Sequence, residues 1–311
     1  MTDAAAPARP DRHIAKPLGH KEFVSYTITF WGTRGSIPTP GPATTRYGGN
    51  TPCVAVAGRA DQLVILDAGS GIRPLGQKLA REVASGASLD ILLSHTHWDH
   101  IQGLPFFQPL YARGNSVRIY GAPQAGVPLE KILGRQMDPM VFPVPLKALS
   151  ADITISEVTD RPFEIDGFRV EVYRLRHPGT TLGYKLTPVS GGATVAYVTD
   201  NELGSGGSYE VGPDWRSGLV QFLDGVHLLI HDAMYPDQLL DSRGGWGHSS
   251  PTQAITLAAE AKVAHLLLFH HEPEHGDDEL DRVLSEAQTY ARRSAPRLTV
   301  DAAREGLSIK L

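Results

Sequence analysis

Cysteine is nearly absent from this chain, which has a single one, Cys53, among 311 residues. One thiol excludes an internal disulfide, and it excludes a structural metal site built from thiolates. Any metal site must therefore use imidazole and carboxylate ligands. A chain without disulfides suits a reducing compartment, and we expect a cytoplasmic protein.

Long apolar runs are also missing. No stretch approaches the ~18 apolar residues that cross a bilayer, so we expect no membrane span. Residues 1–22 are rich in alanine, proline and charged side chains, and they lack the apolar centre of a signal peptide. We therefore expect a flexible N-terminal tail followed by a single domain at residues 23–311.

The chain also lacks an excess of positive charge. The formal net charge is −5. This value argues against general nucleic-acid binding, because proteins of that class carry a basic surface. A local basic pocket for a small anion is still compatible with the composition.

Strand-like and helix-like patterns alternate along the domain, which predicts an α/β fold. Strands are predicted at residues 24–31, 53–57, 62–66, 89–95, 117–120, 153–158, 163–165, 169–175, 193–198, 228–230, 265–269 and near the end of 298–311. Helices are predicted at residues 72–84, from about 102, at 128–135, at 251–262 and at 276–293. Residues 138–149 contain three prolines, so they predict either an active-site flap carrying Met140 and Phe142 or a segment that packs in the core.

Four potential metal ligands follow the strand predicted at 89–95: His95, His97, Asp99 and His100. The first two are two residues apart on extended backbone, so their side chains point the same way and could share one ion. The next two lie where the chain turns toward a helix and could hold a second ion. Imidazoles beside a carboxylate are typical of an open hydrolytic site. The alternative, a solvated polar turn, would rarely show this spacing by chance.

This H-x-H-x-D-H pattern resembles the signature of the metallo-β-lactamase fold hydrolases. Residues 31–38, WGTRGSIP, and 46–51, RYGGNT, are similar to segments of the ribonuclease Z and cyclic-nucleotide phosphodiesterase branch. The resemblance implies a four-layered αβ/βα sandwich with two divalent metal ions at one edge between two sheets. We expect zinc, with manganese as the alternative.

The resemblance also implies the remaining ligands, each of which follows or lies near a predicted strand. His177 would be the third imidazole of the first metal, and Asp200 would bridge the two metals. His248, in a Gly-His-Ser motif, would complete the second metal. His270 is the competing last ligand, because it also ends a strand, and we favour His248.

Two catalytic roles follow from the same comparison. Asp99 would position the attacking water, and His231 would protonate the leaving oxygen, although Asp232 stands where that family has glutamate. Asp67 would orient the loop at residues 95–100, called the metal loop below, or it would cap a helix. The polar side chains of the two similar segments are candidates for substrate contact or, equally, for holding their loops: Arg34, Ser36, Arg46 and Asn50.

The favoured function is a phosphodiesterase that uses metal-activated water to cleave a small phosphodiester such as a cyclic nucleotide. Residues 178–199 are too few for the long arm with which some ribonuclease Z proteins grip tRNA. Alternatives are a lactone or amide hydrolase of the lactonase or β-lactamase type, and ribonuclease Z-like RNA 3′ processing without the arm. A non-enzymatic scaffold held by metals is a further reading, which the open ligand set argues against. The resemblance alone suggests a homodimer.

Overall fold

The structure is a computed structural model that describes residues 25–58, 62–82 and 86–311. The tail predicted at residues 1–22 lies outside these ranges. The strands are β1 Thr27–Gly32, β2 Cys53–Ala57, β3 Leu63–Leu66, β4 Ser88–Leu92, β5 Ser116–Gly121, β6 Asp152–Glu157, β7 Phe163–Ile165, β8 Phe168–Arg174, β9 Leu182–Pro188, β10 Val195–Val198, β11 Leu228–Asp232, β12 His265–Phe269, β13 Thr299–Ala302 and β14 Ser308–Lys310. The α-helices are α1 Ile72–Glu82, α2 Trp98–Ile101, α3 Leu129–Gln136, α4 Trp215–Leu223, α5 Pro251–Glu260 and α6 Asp277–Ser294.

The described strands form two seven-stranded sheets. The first has the order β14-β1-β2-β3-β4-β5-β6, and the second has the order β13-β12-β11-β10-β9-β8-β7. The last strand of the chain returns to the first sheet, where it pairs with β1 in antiparallel orientation. The two halves of the chain are thus joined at one sheet edge.

The inner faces of the sheets pack against each other. Phe30 of β1 meets Phe269 of β12 with ring centroids 6.2 Å apart, and Tyr26 meets Phe168 at 5.2 Å. On the outer faces, α1 and α3 cover the first sheet and α4, α5 and α6 cover the second. This arrangement of helices, sheet, sheet and helices confirms the predicted four-layered αβ/βα sandwich.

Parallel pairing determines where the functional residues gather. Strands β3 to β6 are parallel in the first sheet, and β10 to β13 are parallel in the second. The carboxyl ends of parallel strands lie at the same edge of a sheet, which is where α/β proteins bind ligands. The loops that follow β3, β4, β10, β11 and β12 meet there.

Several local predictions were wrong in their boundaries. The helix expected from about residue 102 begins at Trp98, so Asp99 and His100 belong to the short helix α2. The strand expected to reach residue 95 ends at Leu92, and His95 lies in the connection to α2. Strand β9 and helix α4 were not predicted. The end of the chain forms two strands, β13 and β14, in different sheets.

Within the described residues, no helix is long and apolar enough to span a membrane.

An ion pair across β4 and β5, between the fully buried Asp90 and the partly exposed Arg118, gives a test of the fold. The Arg118 guanidinium donates to both oxygens of the fully buried Asp90 carboxylate at 2.6 and 2.5 Å. Arg118→Met should lower the free energy of unfolding in urea by about 3–5 kcal/mol, because a buried charge loses its partner. The control Arg282→Met removes an exposed arginine that pairs with glutamates within α6, and it should cost under about 1 kcal/mol. Equal losses would contradict this account.

Candidate dinuclear metal site

Four of the predicted ligands converge at the edge between the sheets: His95, His97, His177 and Asp200, whose ligand atoms all lie within 4.8 Å of one another. The Nδ1 atom of His97 is 2.9 Å from Nε2 of His177. The Asp200 Oδ2 atom is 3.7 Å from Nε2 of His95 and 3.6 Å from Nε2 of His177. His97 is exposed, so this group is open to a ligand from solvent.

A second group comprises Asp99, His100 and His270. The Nε2 atom of His100 lies 3.2 Å from Asp99 Oδ2 and 3.2 Å from Asp200 Oδ1. The Nε2 atom of His270 lies 3.2 and 3.1 Å from the same two oxygens. Asp200 therefore faces the first group with one oxygen and the second group with the other, as a bridging carboxylate would.

Backbone strain accompanies these positions. Asp67, Asp200 and His270 each follow a strand and have φ values of 60°, 49° and 60°. This left-handed conformation is costly for residues other than glycine, and it clusters at functional sites where the surrounding structure enforces it. Here it turns each side chain toward the sheet edge.

The carboxylate of Asp67 orients the metal loop. Its Oδ1 accepts from the backbone N–H of Ser94 at 2.7 Å, and its Oδ2 accepts from the hydroxyls of Ser94 at 2.8 Å and Tyr197 at 2.7 Å. The Nδ1 atom of His100 is 2.7 Å from the same Oδ2. A carboxylate bonded to one ring nitrogen directs the other nitrogen toward a metal.

Glu202 performs a similar role for His177, and the sequence offered no signal for it. Its carboxylate accepts hydrogen bonds from the backbone N–H groups of Gly245 at 2.8 Å and Gly247 at 3.1 Å. The carbonyl of Gly247 is 3.0 Å from Nδ1 of His177 and so fixes that ring. A Cβ atom at position 247 would collide with the imidazole, which explains the glycine.

The electrostatics of the site suit cations. Burial lowers the pKa of His95 well below its usual value and lowers the pKa of His177 to about 4, so both rings are neutral and can donate a lone pair. Burial also lowers the pKa of His100, but Asp99, Asp200 and Asp67 outweigh it and raise the pKa well above 6.5. Carboxylates that stabilise a proton there would stabilise a metal ion in its place.

The donor set fits two metal ions. The Nε2 atom of His95 is buried and has no hydrogen-bond partner in the part of the chain that the structure describes, and the buried Nε2 of His100 faces two carboxylate oxygens at 3.2 Å without a well-formed hydrogen bond. Buried polar atoms without partners are rare and call for an explanation such as an ion. Because both atoms point into the convergent groups, a divalent cation in each group supplies that explanation.

His231 has a different environment from the one expected. It is fully buried, its Nδ1 is 2.6 Å from the Asp232 carbonyl, and its Nε2 is 3.3 Å from the amide nitrogen of Asn201. Both nitrogens are therefore engaged, and burial lowers the pKa of the ring. His231 does not belong to any convergent ligand group among the described residues. The expected role as a proton donor does not agree with this geometry.

His248 lies beside the second group, where the sequence led us to expect it. Its Nδ1 is 2.7 Å from the Asp232 Oδ2 atom, so a carboxylate holds the ring. Its ligand atom groups with Asp200 and His270 within 4.8 Å. Burial lowers the pKa of His248, but Asp232 more than offsets this effect and raises the pKa to about 9.

Arg34 and Arg46 were candidates for substrate contact. In the structure, both side chains contact other parts of the protein. Arg34 is fully buried and donates to the carbonyls of Gly48 at 2.9 Å and His275 at 2.5 Å. Arg46 is half-exposed and pairs with Asp278 on α6 at 2.6 Å. Both guanidinium groups hold loops together, in agreement with the alternative interpretation of these residues.

Ser36 and Asn50 lie closer to the metal loop. The backbone N–H of Ser36 donates to Asp99 Oδ2 at 2.8 Å, in a left-handed turn with φ of 61°. The side chain of Ser36 is exposed beside Asp99, where a substrate can reach it. The Asn50 amide donates to Glu305 at 2.9 Å and so supports the loop.

The segment 138–149 is a surface lip. Met140 is 93% exposed, which excludes core packing for that residue. Phe142 packs edge-on against Phe106, with ring centroids 5.5 Å apart. Since Phe106 follows α2 closely, the lip lies over the segment that comes directly after the metal loop.

Comparison with known proteins agrees with this geometry. A family model described as "Beta-lactamase superfamily domain" matches residues 62–271. The chain is 25% identical to a Ribonuclease Z of Picrophilus torridus over 334 aligned positions, which cover 92% of this chain and 99% of that protein.

Solved structures share the fold. Yeast PDE1 superposes with a TM-score of 0.66 at 18% identity, covering 93% of this chain and 100% of that one. A diphosphatase from the PhnP family superposes with a TM-score of 0.61 at 21% identity, covering 91% and 97%. At such identities these likenesses show the fold alone.

The contacts of Asp67 predict its effect on metal affinity. Asp67→Asn should weaken zinc binding about 10- to 100-fold, because the ring of His100 loses the carboxylate that orients it. Competition with a chromogenic chelator measures this affinity. The control Asp301→Asn removes an aspartate that pairs with His265 at 2.9 Å away from the site, and it should leave zinc affinity unchanged. Unchanged affinity in Asp67→Asn would contradict the orienting role.

Proposed function

This chain belongs to the β-lactamase superfamily and is a metallo-β-lactamase fold hydrolase, and from that premise we propose that it is a metal-dependent phosphodiesterase. The observation that carries the proposal is that Asp200 belongs both to the group of His95, His97 and His177 and to a group with His248 and His270, in which the Asp232 carboxylate holds the ring of His248. The shared carboxylate suits two cations beside a phosphoryl group. The held histidine suits protonation of a poor leaving group.

Residues already described would hold the ions. We propose that the first ion uses the three imidazoles of the first group and that the second uses Asp99 and two imidazoles, with Asp200 common to both. Bound divalent cations polarise phosphoryl oxygens and lower the pKa of water. Nitrogen and oxygen donors without thiolate favour zinc, with manganese as the alternative. The ligands would be His95, His97, Asp99, His100, His177, Asp200 and His270.

We assign the last ligand to His270, which reverses the preference for His248 drawn from the sequence. The Nε2 atom of His270 approaches the same two carboxylate oxygens as His100 Nε2, within 3.2 Å. His248 instead gives one nitrogen to Asp232. Among the described residues, His248 forms an ion pair with Asp232 and none with Asp99 or Asp200, so we assign its ring the proton.

The chemistry of the chain's own residues follows. Asp99, which the backbone N–H of Ser36 holds, orients the attacking water. The water oxygen forms a bond to phosphorus, and the proton that it loses goes to solvent. The bond from phosphorus to the leaving oxygen breaks, and Nε2 of His248 gives its proton to that oxygen. Asp232 stabilises the protonated ring before transfer.

The substrate that we favour is a small phosphodiester such as a cyclic nucleotide. The net charge of −5 and the short β9–β10 hairpin support a small partner over a large polyanion. RNA 3′ processing is the second candidate, because the match to a Ribonuclease Z extends over 99% of that protein. Precursor tRNA therefore belongs in the substrate test.

Metal removal and reloading test the proposed chemistry. Protein stripped with a chelator should lose hydrolysis of bis(p-nitrophenyl) phosphate and cyclic AMP, and zinc or manganese should restore both. Cleavage of bis(p-nitrophenyl) phosphate alone would support phosphodiesterase activity but exclude cyclic AMP as the substrate. Preferred cleavage of precursor tRNA would favour the second candidate. Failure on all three substrates, with lactone hydrolysis instead, would overturn the proposal.

The acid role of His248 predicts a specific pH profile. Because the raised pKa keeps this ring protonated at neutral pH, kcat/KM for cyclic AMP should fall as the pH rises toward 9. Asp232→Asn should move this alkaline limb to lower pH and lower kcat by about 100-fold. Hydrolysis of bis(p-nitrophenyl) phosphate should change little, because nitrophenolate leaves without a proton.

The variant His231→Gln tests whether the proton donor is His248 or, as the sequence suggested, His231. This variant should not change the pH at which kcat/KM for cyclic AMP falls, because both ring nitrogens of His231 are engaged inside the protein. A shift of the limb in His231→Gln, with none in Asp232→Asn, would restore the assignment expected from the sequence.

A further inference from the structure

A polar cavity opens beside His248. Its volume is about 270 Å³. The residues that line it and matter here are Glu202, Ser205, Leu240, Arg243, His248 and Gln253. Ligand pockets for drug-sized molecules start near 300 Å³, so this cavity suits one small organic group.

The cavity is built by two loops that touch. A Cβ atom at Gly206 would collide with the backbone of Gly244, so only glycines allow this approach. Glu202 ties the loops together, because it accepts from the N–H of Gly207 at 2.7 Å in one and of Gly245 at 2.8 Å in the other. Its carboxylate is satisfied within the protein, and the cavity is held in shape without a ligand.

One wall of the cavity is flat and cationic. The Arg243 guanidinium stacks over the ring of Trp246, with Cζ 4.3 Å from the ring centroid, and lies 5.6 Å from the ring centroid of Tyr235. Trp246 is 52% exposed. A planar cation on an aromatic ring is a surface on which a nucleobase stacks.

We infer that this cavity is the leaving-group subsite and that it takes a single nucleoside, with the base stacked on the Arg243 guanidinium, which packs on Trp246. The inference rests on the proposed function, in which His248 protonates the leaving oxygen. The organic group attached to that oxygen must start at His248, and the cavity extends from there. Ser205 and Gln253 offer polar contacts to a ribose or to a base edge.

Product binding to the zinc-loaded protein tests this subsite. Isothermal titration should show that adenosine 5′-monophosphate binds about tenfold or more tightly than ribose 5-phosphate, which lacks the base. Arg243→Ala and Trp246→Ala should each remove most of this preference. Both variants should leave the binding of ribose 5-phosphate unchanged.

Two controls separate the subsite from other surfaces. Trp98→Ala removes a tryptophan that is 67% exposed beside Asp99, and Arg282→Ala removes a distant surface arginine; both should keep the preference for the nucleotide. Leu240→Trp fills the cavity from another wall and should lower nucleotide affinity about tenfold. This variant keeps the test valid if an Arg243 variant folds poorly.

The outcomes distinguish the subsite from the proposed function. Equal affinity for adenosine 5′-monophosphate and ribose 5-phosphate would overturn the subsite, and so would a preference that is lost only in Trp98→Ala. Either result would overturn it even where bis(p-nitrophenyl) phosphate is cleaved. A nucleotide preference that depends on Arg243 supports the subsite even where that ester is not cleaved, and the chemistry would then need reassignment.

Discussion

The carboxylate of Asp200 is the group on which the arrangement of the site depends. It is buried between two sets of imidazoles, and each of its oxygens faces one set. A buried carboxylate is costly unless cations or donors compensate it. The left-handed backbone at Asp200 holds it there, and the parallel strands β10, β11 and β12 deliver it to the edge where the loop after β4 brings His95 and His97.

Around this centre, a layer of hydrogen bonds fixes the rings. Asp67 holds His100, the carbonyl of Gly247 holds His177, and Asp232 holds His248. A carboxylate on one ring nitrogen is compatible with either role, because it can direct the other nitrogen toward a metal or stabilise a proton on the ring. The positions of the rings differ instead: Nε2 of His100 and Nε2 of His270 each lie within 3.2 Å of oxygens of Asp99 and Asp200, whereas His248 lines a cavity. Histidines that look equivalent in the sequence thus occupy different places around Asp200.

The two faces of the site have different surroundings. Phe106, Phe142 and the lip at residues 138–149 lie near the metal loop, whereas Arg243, which packs on Trp246, lines the cavity beside His248. The cavity is formed mainly by the loop between β10 and α4 and the loop between β11 and α5. Glu202 ties these two loops together. Such loops can change without disturbing the sheets, so substrate choice is expected to depend on them more than on the sandwich.

The sequence by itself determined the fold class and predicted most of the residues that converge at its centre. Alternation of strands and helices and the close spacing of His95, His97, Asp99 and His100 depend on local geometry, and local geometry is readable in a chain. The tertiary structure decided the rest. Whether His231, His248 or His270 faces the centre depends on how the loops after distant strands pack together. Two of the carbonyls that hold the buried Arg34, those of Glu272 and His275, lie more than 230 residues away in the chain. Contacts between distant segments leave no periodic pattern in the sequence, so only the folded chain reveals them.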